Sequence, residues 1–417
     1  MRTFCITITA IFLFISSSLL AGSFQAPSIG ARATGMAGAY VAVTDDPLAL
    51  YWNPAGLSMI EGKILSIGNT SVKGYARYET VKNALFSIPE GEVEKNKLPW
   101  QLIPHVAFGM NLSEKCSFGV GNFTPYGLNQ VWKEDAEYKY NSIRSEIWLN
   151  TIQVGASYKL NENFSIGGSL GEGFAKMNAK QMVMLFTPSP TQSFAKVNAE
   201  SHGMEGSLGF LWQATENVSV GGAWHSASKQ YLKGKVDFSP QIGNSFQTDM
   251  RMKFTFPQHA SLGLAYKGFE DWLLSFQIDW TEWSEMGSLV EHLDEPVPLG
   301  SPVAVDTVKI KRDWKDTYSY RIGAEYKINE RLSLRCGYMW DPSPVPEETL
   351  DPLMFDVSLN RYSVGLGYKV DNWSIDIAYM YSKGIKREVE DSENVFPTNG
   401  DYWGSSHVVD ITFSYMF

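Results

Sequence analysis

After its first twenty-odd residues, the 417-residue chain has no apolar run approaching the roughly 20 residues needed to cross a bilayer as a helix. Cysteine is scarce: Cys5 falls in that first stretch, and Cys116 with Cys336 make no disulfide framework. Positive charge is in deficit, with 35 Lys and Arg against 45 Asp and Glu, a formal net charge of −10. That balance speaks against nucleic acid as a partner. The six His, at 105, 202, 225, 259, 292 and 407, lack metal-ligand spacing, so no metal is expected. There is no Gly-rich phosphate loop and no G-x-S-x-G elbow, and no cofactor is implied. His202 and Glu205 could be imagined as a hydrolytic pair, but alternation puts them on opposite faces of one segment. A hydrolase is the rival enzyme reading, and the chain is expected not to be an enzyme.

What is present is arrangement. The opening "MRTFCITITAIFLFISSSLLAG" has a basic n-region at Arg2, an apolar run from Phe4 to Leu20 and small residues for cleavage at Ala21 or Gly22. It reads as a signal peptide over 1–21, with a membrane anchor as the alternative. At the other end, "HVVDITFSYMF" alternates with period two: Val409, Ile411, Phe413, Tyr415 and Phe417 on one face, Asp410, Thr412 and Ser414 on the other. The same holds around Trp272–Trp280, Leu332–Asp341 and Trp373–Tyr381. Such alternation is a strand with one apolar face.

Short polar clusters at 111–115, 161–163, 214–217, 267–271, 329–330 and 371–372 each join two alternating segments, as tight hairpins do. Longer irregular stretches, such as 181–200, 239–250, 291–305 and 345–356, separate them. The expected fold class is therefore all-β: a transmembrane antiparallel β-barrel of about 14 strands. The second face is small and polar with single charges such as Arg335 and Asp376, which suits a lumen. Phe164, Trp212, Trp272 and Trp373 near the tight turns suit an interfacial girdle. A large soluble β-protein is the alternative.

Residues 22–61 lack period two. They contain "TDDPLAL" and "YWNPAGL", in which Asp46 and Asn53 are N-caps followed by Pro. Such short capped turns form a helical hatch plugging the lumen, with Asn53, Pro54 and Ala55 at its key turn; an ordinary periplasmic turn is the alternative. The barrel then occupies 62–417. Pro125 has no N–H for a ladder, and Gly127 tolerates irregular backbone, so Pro125, Tyr126 and Gly127 should interrupt the wall unless they form an extracellular turn. Met182, Met184, Phe186 and Phe194 lie in a long external stretch where exposed apolar residues suggest ligand capture. They could instead extend the preceding strand.

"GARATGMAGAYVAVTDDPLALYWNPAGL", "FGVGNFTPYGLNQVW" (118–132), "DWKDTYSYRIGAEYKINERLSLRCGYMWDPSPVP" (313–346) and "NRYSVGLGYKVDNWSIDIAYMYSKG" (360–384) together resemble the FadL-type outer-membrane transporters of long-chain fatty acids and other hydrophobic compounds. The resemblance covers essentially the whole mature chain. It implies a fourteen-stranded monomeric barrel in outer-membrane lipid and lipopolysaccharide, a plugged lumen, an external low-affinity groove and a lateral wall opening. It also implies a basic residue for the ligand head group near "WKDTYSYR". Alternation turns Lys315 inward there, with Arg335 as second choice, although inward basic residues often only pair with lumen carboxylates. Phe417, Tyr415 and Phe413 resemble the signal read by the barrel insertion machinery. The function expected is passive uptake of a long-chain fatty acid or other hydrophobic small molecule. An aromatic hydrocarbon channel and a non-transport surface barrel, adhesin or structural, are the alternatives.

Overall fold

The computed structural model describes residues 24–81, 91–136, 138–186, 189–241, 243–394 and 398–417; the signal peptide read at 1–21 lies outside them. Among the described residues, fourteen antiparallel strands close on themselves. In chain order they are β1 (Lys63–Thr80), β2 (Gln101–Asn111), β3 (Cys116–Val131), β4 (Arg144–Asn161), β5 (Phe164–Phe186) and β6 (Pro190–Gln213). Four strands follow, each in two parts. These are β7 (Val218–His225, Ser228–Pro240), β8 (Phe246–Phe256, His259–Tyr266), β9 (Trp272–Thr281, Ser288–Val297) and β10 (Val305–Lys311, Thr317–Lys327). The series ends with β11 (Leu332–Asp341), β12 (Leu359–Val370), β13 (Trp373–Gly384) and β14 (Gly400–Met416). β1 pairs β14 from Ile64↔Met416 to Thr80↔Gly400, and this ladder closes the barrel.

All six short clusters are the turns at one end, as in barrels whose periplasmic turns are short. Outward faces are apolar: Leu264, Phe276, Ile322 and Tyr338 lie side by side across four strands. The Trp272 ring meets Tyr326 at 4.8 Å close to the short-turn end. A bilayer needs only ~9–11 residues of a tilted strand. β5 has 23 residues and β6 has 24, so both run far beyond the membrane on the long-loop side.

This height corrects one expectation. The stretches at 181–200, 239–250 and 291–305 are mostly ladder, not loop, with β5 and β6 paired as far as Phe186↔Pro190.

Residues 24–61 lie inside the barrel as two short helices, α1 (Ala31–Gly35) and α2 (Ala49–Trp52), and a 3-10 turn at Pro54–Met59. Small inward residues of the wall make room for them. A Cβ on Gly167 would stand 2.4 Å from Pro54 and Ala55 backbone atoms, and one on Gly221 would stand 2.3 Å from the Val41 carbonyl. Gly337 is equally tight against Met36. The glycines of the polar face are thus contact points for this inner segment.

Candidate functional site

Asn53 anchors the inner turn as its sequence suggests. Its Oδ1 accepts from the Ala55 N–H at 3.2 Å, Pro54 opens the turn, and its Nδ2 donates to Val41 O and to Phe210 O of the wall. Further polar stitches come from inward side chains. Gln277 Oε1 accepts from the Tyr40 and Val41 N–H groups, both at 2.9 Å, and Thr412 Oγ1 accepts from Ala31 N. Thr34 Oγ1 donates to Asp410 Oδ2. Arg321, paired with Asp279, donates to the carbonyls of Pro27 and Ala37.

Arg335 belongs to this frame. Its Nε and Nη1 each lie 2.6 Å from a carboxylate, Glu325 and Asp376, and Glu325 also holds Arg32 of α1. Its charge is therefore already matched. Lys315 is not in the lumen at all. The inner part of β10 begins at Thr317, so the strand parity that would turn Lys315 inward does not reach it; it is exposed, with its N–H on Pro344 O.

The interruption at Pro125 is structural. The β2–β3 ladder stops at Val106↔Asn122, and the β3–β4 register shifts between Phe123 and Tyr126. Above that point the β3 edge takes a different partner, the start of the inner segment. Ala26 N donates to Pro125 O at 2.8 Å, Gly127 N donates to Phe24 O at 2.7 Å, and Gln25 bridges Tyr126. Higher still, Lys97 N reaches Val131 O at 2.7 Å. Between these limits β2 and β3 part, and β3 bends inward with residues 121–130 all buried.

The outer half of the barrel interior is apolar. A cavity of about 140 Å³ is lined by Met177 and Val183 of β5, Val197 of β6, Phe238 of β7, Met252 of β8 and Leu293 of β9, among others. Its polar atoms come from Ser145, Glu146, Asn178, Gln181 and Glu291, and no Lys or Arg lines it among the described residues. The stretch 181–196 does face this cavity, but through Gln181, Val183 and Ala195. Met182, Met184 and Phe194 are of the opposite parity, Met182 covered by the 132–143 loop through its N–H on Lys139 O, and Phe186 pairs Pro190 at the hairpin. The inward alternation of β5 continues past Ala179 to Gln181 and Val183.

Phe254 also lines the cavity and joins it to an aromatic cluster around Phe24, which lies 5.8 Å from Phe254, 5.0 Å from Trp283 and 5.9 Å from Tyr126. At the chain's end, Phe417 donates its N–H to Lys63 O, while Phe413, Tyr415 and Phe417 point outward.

The family model described as outer membrane protein transport protein (OMPP1/FadL/TodX) matches residues 12–417. The chain belongs to this family. It is an outer-membrane β-barrel, and the OMPP1/FadL/TodX family comprises transport proteins rather than enzymes. Outer membrane protein P1 of Haemophilus influenzae is 21% identical over 413 residues, covering 88% of this chain and 87% of the relative. The long-chain fatty acid transport protein of Escherichia coli K12 is 20% identical, covering 93% and 94%. Among solved structures, a Pseudomonas aeruginosa FadL homologue superposes with TM-score 0.83 at 18% identity, covering 95% of this chain and all of the other. The toluene transporter TodX of P. putida gives 0.76 at 18% identity, covering 94% and 99%. At such identities the structural likeness establishes the fold.

Proposed function

We propose that the chain admits small uncharged hydrophobic molecules through the outer membrane by capture in the outer cavity, passage along the Phe24 cluster and lateral exit where β2 and β3 part. The observation that carries this reading is the cavity itself: apolar, without a cation, and about 140 Å³. Apolar protein cavities of ~150 Å³ take up benzene. Residues 24–61 act as the hatch that closes the straight route down the lumen. The inward bend at Pro125, Tyr126 and Gly127 is the exit, since a fully paired barrel wall has no edge or gap. The likeness to TodX, described as a toluene transporter, supports a ring-sized substrate.

A long-chain fatty acid is the second reading, favoured by relatives named long-chain fatty acid transport proteins. It requires the cavity to lengthen and a head-group cation other than Lys315. The barrel works as a monomer in outer-membrane lipid and lipopolysaccharide, placed there by the insertion machinery that reads Phe417, Tyr415 and Phe413. Neither cofactor nor energy source takes part.

The test is uptake of labelled toluene and labelled oleate by cells in which this chain is the sole such transporter. Faster toluene entry supports the reading, and oleate alone entering supports the second. Gly127→Arg puts a charge in a buried apolar path, a cost of several kcal/mol unless it finds a partner, and should stop uptake while leaving the barrel assembled. Normal uptake by a correctly assembled Gly127→Arg protein would remove the lateral route.

A further inference from the structure

Two carboxylates line the outer cavity, and they differ. Glu146 is engaged: its Oε2 accepts from Arg144 Nη2 at 2.7 Å and from Asn178 Nδ2 at 3.3 Å. Glu291 has no hydrogen-bond or ionic partner among the described residues. It stands on the outer part of β9, beyond the membrane-spanning part of that strand, between Leu289 and Leu293, which share its face. Its ladder neighbours are Met252 on β8 and Val308 on β10, and the other cavity residues of those strands are Met250, Phe254 and Ile310. Glu146 is the other titratable group facing the cavity.

A half-buried carboxylate among apolar side chains loses hydration and gains nothing in exchange. Burial alone lifts the Glu291 carboxyl to about 7. A Leu, Ile or Val would fill this place at no such cost, as its neighbours do. A hydrogen-bond donor on a bound molecule would meet what the wall leaves unmet.

We propose that Glu291 is the head-group acceptor of the outer cavity, selecting ring-sized apolar molecules that carry one hydrogen-bond donor, as in a phenol or aromatic amine, and rejecting ionised carboxylates. The inference rests on the cavity being the capture site. The ring occupies the apolar walls and its single O–H or N–H points to the Glu291 oxygens. An anionic head group meets an ionised Glu291 and a Glu146 whose charge Arg144 already holds, so Glu291 disfavours it while ionised. Below about pH 7 Glu291 holds a proton and can itself donate, so a carboxylate ligand becomes better tolerated as pH falls.

Three ligands that share a tolyl ring test this: toluene, p-cresol and p-toluate, titrated calorimetrically into the detergent-solubilised full-length protein at about pH 8, where Glu291 is mainly ionised. Glu291→Leu should weaken p-cresol by roughly ten- to a hundred-fold, the range of one hydrogen bond to a charged group, and leave toluene within about threefold. Glu291→Gln, equal in shape, should retain toluene binding, keep only part of the p-cresol affinity because its acceptor is neutral, and improve p-toluate, because its amide can donate. Heat-modifiable migration on gels confirms that each variant is a folded barrel. Equal changes for toluene and p-cresol in Glu291→Leu, or p-toluate binding the wild type as tightly as p-cresol, would overturn the assignment while leaving the cavity as capture site. Failure of all three ligands to bind the wild type would overturn both.

Discussion

At the scale of single residues, the inward charges of this barrel are occupied in holding its contents. Arg335 lies between Glu325 and Asp376, and Glu325 reaches on to Arg32. Removing one member of a buried ionic group typically costs about 3–5 kcal/mol, because the remaining charges lose their partner. Arg335→Met should therefore loosen residues 24–61, seen as faster hydrogen exchange at Tyr40 and Val41. Lys315→Ala, at an exposed loop position, should leave both exchange and ligand affinity as in the wild type. A loss of affinity in the Lys315 variant alone would restore it as a head-group partner.

Asp46 adds a pH dependence to the same segment. Burial, with Asp45 beside it, lifts its carboxyl to about 6 from 3.8, against the opposing pull of Arg32 and the Tyr40 hydroxyl. The folded segment thus binds this proton more tightly than the unfolded one. Its stability rises as pH falls from about 6 toward 4, and declines as pH rises through that window. Asp46→Asn keeps an acceptor for the Leu48 N–H and removes the ionisation. Melting of the inner segment, followed by Trp52 fluorescence, should lose most of its slope between pH 4 and 6 in the variant. An unchanged slope would place the dependence on another group.

At the scale of elements, legibility followed the environment of each strand face. Strands in the bilayer alternate cleanly, because lipid and lumen impose opposite chemistries, and there Tyr318, Tyr320, Ile322, Arg321 and Glu325 take the faces that parity assigns. Above the membrane, 181–186 is covered on both sides, by the cavity walls and by the 132–143 loop. Alternation of polarity fades, so an ordered strand reads as an apolar loop. The bend at Pro125 was legible from the missing N–H. Its partner was not, because Phe24–Ala26 is too short to show a period, and nothing local links it to a strand a hundred residues on. Phe24 tests that pairing. Phe→Ala in a packed cluster costs about 3–5 kcal/mol, and should release the Gly127 amide to exchange and enlarge the path between cavity and bend. Continued protection of the Gly127 amide in Phe24→Ala would mean that the backbone pairing holds β3 without the aromatic anchor.

At the scale of the whole molecule, closure rests on the β1–β14 ladder, seventeen residue pairs long, and its last bond is Phe417 N to Lys63 O. The observed structural role of Phe417 and the assembly role proposed for it are therefore separable. As a structural residue it contributes one hydrogen bond, worth about 0.5–1.5 kcal/mol, and an aromatic ring that is 66% exposed and stacks edge-on with Tyr415 at 5.0 Å. That is little against a ladder of this length. The assembly role proposed for it would act before closure, when insertion machinery meets the last strand, and its loss would then affect how many barrels form. Deleting Phe417 should lower the heat-modifiable fraction in outer membranes severalfold, while barrels that do form melt close to the wild-type temperature. A normal yield of barrels with a clearly lowered melting temperature would make Phe417 a closing residue and nothing more. Unchanged yield and unchanged melting would deny it both roles, and leave Tyr415 and Phe413 as the outward aromatics to test next.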